Sequence, residues 1–246
     1  MNFVFGKLFH IFSQLRTRFF PSLWIKKEQY LYEKDIEIMH AHKGYSNFSK
    51  ILRSFIPKGA KVLDVGCNKG LETKIIAEKN EVVGIDLYPD FIEVAKSRNI
   101  NAQVMDFHNI TFVEEFDCVY LNNVLEHAQF PAKVIEGCFR ALKKGGGILI
   151  VGMPLDGNSL KIKDPAHFYR AKKEDVISLL INRSFNLLKI KEIDTNKKWG
   201  WEIPSAMNKI LICVAQKCSN FREGKKSKMF LKNYENSFDQ SRGYAF

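Results

Sequence analysis

The sequence is 246 residues long, carries a formal net charge of +11 and contains five cysteines. This length fits one domain with extensions at its ends. No apolar run approaches the roughly 20 residues of a membrane-spanning helix. The cysteines are scattered without a Cys-x-x-Cys pair, which argues against a disulfide framework or a zinc site and favours a reducing compartment such as the cytoplasm.

The positive charge lies mostly at the two ends of the chain. Residues 1–27 carry five Lys/Arg and no acid, and residues 217–246 carry seven against three, so the ends hold nine of the eleven net charges. An enzyme that acts on nucleic acid is expected to line its substrate channel with cations. The nearly neutral middle makes nucleic acid a less favoured partner, although a basic tail that folds over a site keeps RNA as an alternative.

The first predicted element is an amphipathic helix within the segment 1–24, and Pro21 ends its helical pattern. Its apolar side chains recur at alternating spacings of three and four; they are Phe5, Leu8, Phe12, Leu15 and Phe19. Three interpretations stay open. The apolar face packs on the following domain or on a second copy of the chain, it lies on a membrane surface through residues 1–20, or the segment is a targeting peptide. Residues 25–56 are predicted to form a helical lid or linker.

A glycine-rich turn follows the first predicted strand. The short β-branched run Lys61–Val65 is typical of a buried parallel strand that enters a tight turn. Gly66 and Gly70 allow backbone dihedrals that other residues avoid, and a helix that starts near Gly70 directs its amides to the same point. A second strand, Glu81–Ile85, leads to Asp86, whose carboxylate can accept hydrogen bonds from both hydroxyls of a ribose. The pattern predicts a nucleotide-type cofactor at the edge of a parallel sheet.

The glycine spacing separates two classes of cofactor. A dinucleotide fingerprint, Gly-x-Gly-x-x-Gly, requires glycine at two positions where this chain has Asn68 and Leu71. Asparagine tolerates left-handed dihedrals, so we expect the turn itself to be preserved. The run Gln103–Phe107 then predicts a third strand that ends at an acid, Asp106.

Two further motifs complete the pattern. Phe116–His127 predicts a fourth strand and a loop, and residues 141–151 predict a helix end, a glycine turn and a fifth strand. With five motifs in this order, residues 57–217 resemble the class I S-adenosylmethionine-dependent methyltransferases, among them the ubiquinone-pathway type. The resemblance implies S-adenosylmethionine as cofactor and an α/β fold with a doubly wound, mostly parallel seven-stranded sheet and an antiparallel final strand. Residues 218–246 are left as a basic tail.

The remaining elements follow the order of that family. Residues 172–182 are spaced as a helix, and residues 186–193 and 209–216 predict two antiparallel strands. The irregular segment between these strands contains Trp199 and Trp201. These aromatic side chains either contact the substrate or pack the last hairpin, and the sequence does not favour one role over the other.

The resemblance also implies contacts to the cofactor at the ends of the first four strands and just after them. They are Asp64, Gly66, Cys67 and Gly70 around the methionine end, Asp86 and Leu87 at the ribose, Asp106 and Phe107 at the adenine, and Asn122 beneath the sulfonium. The three acids are the most informative of these positions, because a domain released from cofactor binding has no need to keep all three together.

Two histidines are candidates for a general base at neutral pH, one after the fourth strand, His127, and one after the fifth, His167. In many relatives a Glu–His pair at the first position has mainly structural duties. Some relatives hold a divalent ion there with Glu-x-x-Glu-His, but Asn123 replaces the first glutamate in this chain. Asn123, Glu126, His127 and His167 would form only a weak site, because one carboxylate is lost, and we expect no obligatory metal.

We therefore expect an enzyme that methylates a hydroxyl, amine or carbon of a small or lipid-linked acceptor, such as a saccharide or an isoprenoid. RNA is the alternative acceptor. A non-catalytic binding or scaffold module is the alternative from another class. The expected location is the cytoplasm, either free or attached to the inner face of the membrane, and a homodimer is compatible with the terminal helix.

Overall fold

The computed structural model describes residues 43–155, 167–194 and 209–218. The chain divides into two compact units, residues 1–46 and residues 47–246. The first unit lies almost entirely outside the described residues, and the second contains the whole of the described sheet. The domain boundaries inferred from the sequence stay predictions.

Several sequence predictions fall outside the described residues. They concern the amphipathic helix over residues 1–24, the tryptophan-containing segment 195–207 and the tail beyond residue 218. A helix does occupy Lys43–Arg53, inside the predicted helical segment 25–56. Within the part of the chain that the structure describes, no helix has the length and the apolar character needed to cross a membrane.

The described residues form one seven-stranded sheet in the order β3-β2-β1-β4-β5-β7-β6. The strands are β1 (Lys61–Val65), β2 (Glu81–Asp86), β3 (Ala102–Val104), β4 (Cys118–Asn122), β5 (Ile148–Pro154), β6 (Phe185–Asp194) and β7 (Lys209–Lys217). Strands β1 to β5 pair in parallel, and β7 runs antiparallel to both of its neighbours. This confirms the predicted α/β class with its mostly parallel sheet and antiparallel final strand.

Helices connect the strands and cover the sheet. They are α1 (Lys43–Arg53), α2 (Leu71–Ala77), α3 (Pro89–Ser97), α4 (Pro131–Ala141) and α5 (Lys173–Ile181), with 3₁₀ turns at Phe107–Asn109 and Leu125–His127. Helices α3 and α4 both begin with proline, whose fixed φ suits the first helical position and whose missing N–H has no helical partner there.

Side chains of each strand alternate between the two faces of the sheet. Leu63 and Leu121 point to one face and join the main hydrophobic core. Cys138 of α4 and Leu180 of α5 belong to the same core and are fully buried. The apolar stripes of these two helices therefore cover that face.

Helix α1 packs against the opposite face with almost no space between backbone and side chain. A Cβ atom added to Gly152 of β5 would come within 2.6 Å of Leu52 and 2.7 Å of Phe48, both of which are fully buried. Only glycine permits this approach, because a larger residue would push the helix away from the sheet. The close contact fixes α1 over the carboxyl halves of β4 and β5.

Two strand boundaries differ from those predicted from the sequence. The third strand ends at Val104 and does not continue through Phe107. The reason is local: the Asp106 carboxylate accepts a hydrogen bond from the backbone N–H of His108 and caps a 3₁₀ turn, so the chain leaves the sheet before the acid. The fourth strand begins at Cys118, because Phe116 forms only an isolated bridge.

Candidate active site

The turn after β1 has the left-handed backbone that the sequence predicted. The φ angles of Gly66, Asn68 and Gly70 are 72°, 50° and 77°. The N–H groups of Gly66 and Cys67 both donate to the carbonyl of Ile85, at 2.8 and 3.0 Å. The expectation that asparagine preserves this turn in place of a third glycine is confirmed.

Packing also requires the two glycines of this turn. A Cβ atom on Gly66 would lie 2.5 Å from a methyl group of Val124, and one on Gly70 would overlap Ile100. The turn therefore fits closely between the loop after β4 and the region of α3. Glycine is needed here for contacts within the protein, whatever its part in ligand binding.

Asp86, at the end of β2, is held in one orientation by the backbone. Its Oδ2 accepts a hydrogen bond from the N–H of Asn68 at 2.9 Å, and its Oδ1 accepts from the N–H of Tyr88 at 3.1 Å. Only 9% of the residue is exposed, and this burial raises the pKa of the carboxyl while the backbone hydrogen bonds oppose the rise. Each oxygen keeps a further lone pair, so the carboxylate can also accept from a diol. The adjacent Leu87 is exposed at the same edge.

Asp106 lies two residues beyond the end of β3, the strand that pairs with β2. The N–H of Met105 donates to the backbone carbonyl of Asp86 at 2.9 Å, which joins the two acidic positions. The Asp106 carboxylate pairs with the imidazole of His108, and this hydrogen bond holds its pKa below the ordinary value. The Phe107 ring lies 4.5 Å from that imidazole, between ring centroids. The contacts of Asp86 and Asp106 with the ribose and the adenine of the cofactor stay predictions.

Asp64 and Cys67 make their described contacts inside the protein. Thr73 of α2 donates a 2.6 Å hydrogen bond to Asp64, which is 3% exposed. Burial, together with the charges of Glu72 and Asp86, raises the pKa of Asp64 to about 7, although the Thr73 hydroxyl acts in the opposite direction. Cys67 is buried against Gly84, and burial raises the pKa of its thiol well above the ordinary value. Direct contact of either residue with the cofactor stays a prediction.

Asn122, at the end of β4, is tied to helix α1. Its side-chain amide donates a 3.1 Å hydrogen bond to the hydroxyl of Ser49, which is fully buried. A second connection joins the same helix to α2, because Arg53 forms an ion pair with Glu72. Helix α1 therefore contributes polar contacts beside the glycine turn.

His127 and His167 are brought together although 40 positions separate them in the sequence. Their ring centroids lie 4.8 Å apart in an edge-to-face arrangement. The N–H of Tyr169 donates to the backbone carbonyl of Glu126 at 2.9 Å, which attaches the second histidine's segment to the turn that carries the first. The pairing places both candidate bases after the carboxyl end of β4.

The same place offers three potential metal ligands. One ligand atom each from Glu126, His127 and His167 lie within 4.8 Å of one another, and the glutamate is 2% exposed. Two imidazoles and a carboxylate suit a transition-metal ion better than they suit magnesium. Asn123 has a left-handed φ of 53° and donates its backbone N–H to Gly152. The absence of an obligatory metal stays a prediction.

Some polar contacts at this edge were not identified from the sequence. Ser49 and Thr73 give no local sign of their partners, since each lies in a helix with ordinary amphipathic spacing. His108 could have been found, because an aspartate whose side chain bonds two residues further along the chain forms a well-known turn.

Comparisons with known proteins agree with this geometry. A family model described as a methyltransferase domain matches residues 63–150. An uncharacterized protein of Methanocaldococcus jannaschii is 29% identical over 185 residues, which cover 70% of this chain and 82% of that protein. The ubiquinone biosynthesis O-methyltransferase of Xylella fastidiosa is 33% identical over 101 residues, or 37% of this chain. That match spans 41% of the enzyme's own length.

Solved structures share the fold. A 1,6-didemethyltoxoflavin-N1-methyltransferase of Burkholderia thailandensis, with bound 1,6-didemethyltoxoflavin and S-adenosylhomocysteine, matches with a TM-score of 0.63. The match covers 82% of this chain and 90% of that one, at 16% sequence identity. At this level of identity the likeness establishes the architecture and not the acceptor.

Replacing Asp64 by asparagine tests the cost of burying this carboxyl. Because its folded pKa of about 7 lies above the ordinary value, the folded chain keeps a proton that the unfolded chain releases between about pH 4 and pH 7. The wild-type free energy of unfolding therefore falls as the pH rises through this window, by about 4 kcal/mol for a shift of this size. Asp64→Asn has no such titration. We therefore expect its free energy of unfolding, measured relative to that of the wild type in urea titrations, to increase by this amount between pH 4 and pH 8.

Thr73→Val is the matched comparison. It removes the hydroxyl that lowers the pKa of Asp64, so the pH-dependent loss of stability should extend to higher pH than in wild type. A constant difference between Asp64→Asn and wild type from pH 4 to pH 8 would show that the carboxyl titrates normally.

Proposed function

We propose that this chain, a member of the class I S-adenosylmethionine-dependent methyltransferases, transfers the cofactor's methyl group to a hydroxyl or amine of a small or lipid-linked molecule. The methyltransferase-domain match confirms the family, the enzyme class and the cofactor expected from the sequence, and the similarity to a ubiquinone biosynthesis O-methyltransferase agrees with it. The acceptor and the roles of individual residues are the proposal.

The proximity of His127 and His167 is the observation that supports a hydroxyl or amine acceptor. Both follow carboxyl ends of parallel strands, where ligands bind in open α/β sheets. The glycine turn and Asp86 follow strand ends at the same edge. A methyl acceptor must lie beside the cofactor, and an O–H or N–H acceptor must lose a proton. Imidazoles at this edge supply that function near neutral pH.

The reaction divides clearly between ligand and protein. Bound S-adenosylmethionine supplies a methyl group that its positively charged sulfur makes electrophilic. Asp86 would hold the ribose hydroxyls, Asp106 would accept from the adenine amino group, and the turn from Gly66 to Gly70 would enclose the methionine end. His167 would take the proton from the acceptor atom that receives the methyl group, and the cofactor would leave as S-adenosylhomocysteine when its sulfur–methyl bond breaks. Holding the acceptor in line can supply roughly 7 to 11 kcal/mol of the barrier reduction.

The relatives favour a small acceptor with an oxygen nucleophile. The Xylella fastidiosa relative is an O-methyltransferase of ubiquinone biosynthesis by its name. An isoprenoid or a lipid-linked saccharide with a free hydroxyl has the same chemistry. RNA is less favoured, because the net positive charge lies in the terminal segments and not in the middle of the chain.

Removal of the Asp86 side chain tests the cofactor site. Asp86→Ala should weaken binding of S-adenosylmethionine and S-adenosylhomocysteine tenfold or more, because each charge-assisted hydrogen bond to the ribose contributes about 1.5 to 3 kcal/mol. Isothermal titration calorimetry on the full chain measures this change. The matched control is Glu93→Ala, which removes an exposed acid of the next helix and should leave the Kd unchanged.

The outcomes separate the hypotheses. An unchanged Kd for Asp86→Ala contradicts the ribose assignment. Failure of the folded wild-type chain to bind either ligand favours the non-catalytic scaffold module.

Substitution of His167 tests the base. His167→Asn should lower kcat at least about 100-fold while leaving the Kd for S-adenosylmethionine unchanged, since general-base catalysis contributes about 10²- to 10⁴-fold. The measurement is transfer of a radiolabelled methyl group to isoprenoid phenols, lipid-linked saccharides and, separately, RNA. His127→Asn is the neighbouring comparison, and a larger loss there would exchange the two roles.

Chelation distinguishes a base from a metal ligand. If His167 acts as the base without a metal, transfer continues in EDTA. Loss of transfer in EDTA, with recovery on adding manganese or magnesium, would instead assign Glu126, His127 and His167 to an ion.

We further propose that residues 1–20 bring the enzyme to a membrane surface, where a lipid-linked acceptor is found. Large apolar side chains that recur at spacings of three and four, together with only positive charge, give this segment the composition of an interfacial helix. The full chain should sediment with anionic liposomes, whereas a chain that starts at Ile25 should stay in the supernatant. Equal sedimentation of the two would exclude this role.

A further inference from the structure

His108 connects two loops at the candidate adenine side. On one side its Nδ1 lies 2.9 Å from Oδ1 of Asp106, after β3. On the other side its Nε2 accepts a hydrogen bond from the backbone N–H of Phe130, at 3.4 Å. Phe130 immediately precedes helix α4 and follows the turn that carries His127.

The chemistry of the three groups fixes the proton on the imidazole. A backbone N–H can only donate, so Nε2 must carry the lone pair and Nδ1 must carry the hydrogen. The neutral ring of His108 therefore donates to Asp106 and accepts from Phe130 at the same time. Both of its nitrogens are used within the protein.

Packing leaves the imidazole little freedom. Its ring lies 4.5 Å from Phe107 and 6.0 Å from Phe130, between centroids, and its side chain is 18% exposed. The backbone N–H of His108 also donates to Oδ1 of Asp106, at 2.8 Å. Two donors from one residue therefore converge on a single carboxylate oxygen.

The two oxygens of the Asp106 carboxylate have different contacts. Oδ1 of Asp106 is held by His108, and Oδ2 has a longer contact, 3.4 Å, with the side-chain amide of Asn109. A carboxylate held by one oxygen cannot rotate freely, so the direction in which the other oxygen accepts is fixed. A fixed acceptor distinguishes a purine with an amino group from one without it.

We propose that His108 is a positioning residue for adenine recognition, which orients the Asp106 carboxylate toward the 6-amino group through its Nδ1–H. The proposal rests on the proposed function, because it takes Asp106 as the adenine contact. It adds a residue that acts through Asp106 and does not touch the cofactor. The expected effect of substituting His108 is a change in how strongly the chain discriminates between two purines, and not only a change in affinity.

The test compares two ligands on the full chain by calorimetry. One is S-adenosylhomocysteine, and the other is its 6-deamino analogue, in which hydrogen replaces the amino group of the base. The wild type should bind the analogue about tenfold or more weakly, because one charge-assisted hydrogen bond is lost. His108→Ala should reduce this ratio several-fold while changing the Kd of the analogue little.

A pair of amide variants separates the two contacts of the imidazole. The amide of His108→Asn reaches the place of Nδ1, and the amide of His108→Gln reaches the place of Nε2. We expect His108→Asn to retain the discrimination ratio and His108→Gln to lose it. Asn109→Ala is the control, because it leaves both donors to Oδ1 of Asp106 in place and should keep the ratio.

The reverse order would overturn the proposal. If His108→Gln retains the ratio and His108→Asn loses it, the residue acts by anchoring Phe130, and an unchanged ratio in all three variants removes His108 from adenine recognition. Failure of the wild type to bind S-adenosylhomocysteine is a different result, since it contradicts the proposed function itself. Equal thermal unfolding of the variants and wild type confirms that folding is not being measured.

Discussion

Hydrogen bonds between the glycine turn and the end of β2 position the candidate site at the carboxyl edge of the sheet. Two successive N–H groups of the turn share the carbonyl of Ile85, and the next N–H, of Asn68, donates to the Asp86 carboxylate. The left-handed backbone of Gly66 directs the two amides that follow it, which explains glycine at position 66. Because Asp86 receives its orientation from the turn, a shift of the turn would move the acid as well.

Several acidic side chains are buried close together at this edge of the sheet. Glu72 and Asp86 both raise the pKa of Asp64, so the carboxyls lie close enough to repel one another in a poorly solvated region. Part of this cost is offset by the ion pair between Glu72 and Arg53 of α1. A ligand that carries an ammonium and a sulfonium group would offset more of it. The cost of burying the acids in the free protein is therefore consistent with a cationic cofactor.

The sequence predicted those elements that depend on residues close together in the chain. The first strand, the turn and the second strand follow from β-branched runs, glycines and an acid within 26 positions, and the structure places them as predicted. Contacts between distant segments could not be predicted in this way. The bond between Ser49 and Asn122 joins positions 73 apart, and it depends on the close packing of α1 against Gly152. The end of β3 was misjudged because a side-chain cap outweighed the apolar pattern.

The loop from residue 125 to residue 130 joins the two halves of the candidate site. At one end the carbonyl of Glu126 accepts from Tyr169 and keeps His167 beside His127. At the other end the N–H of Phe130 donates to His108, which is bonded to the predicted adenine contact. The candidate base and the candidate adenine acid are thus attached to one short segment. A continuous set of hydrogen bonds therefore runs from Asp106 through His108 to the segment beside which His127 and His167 pair.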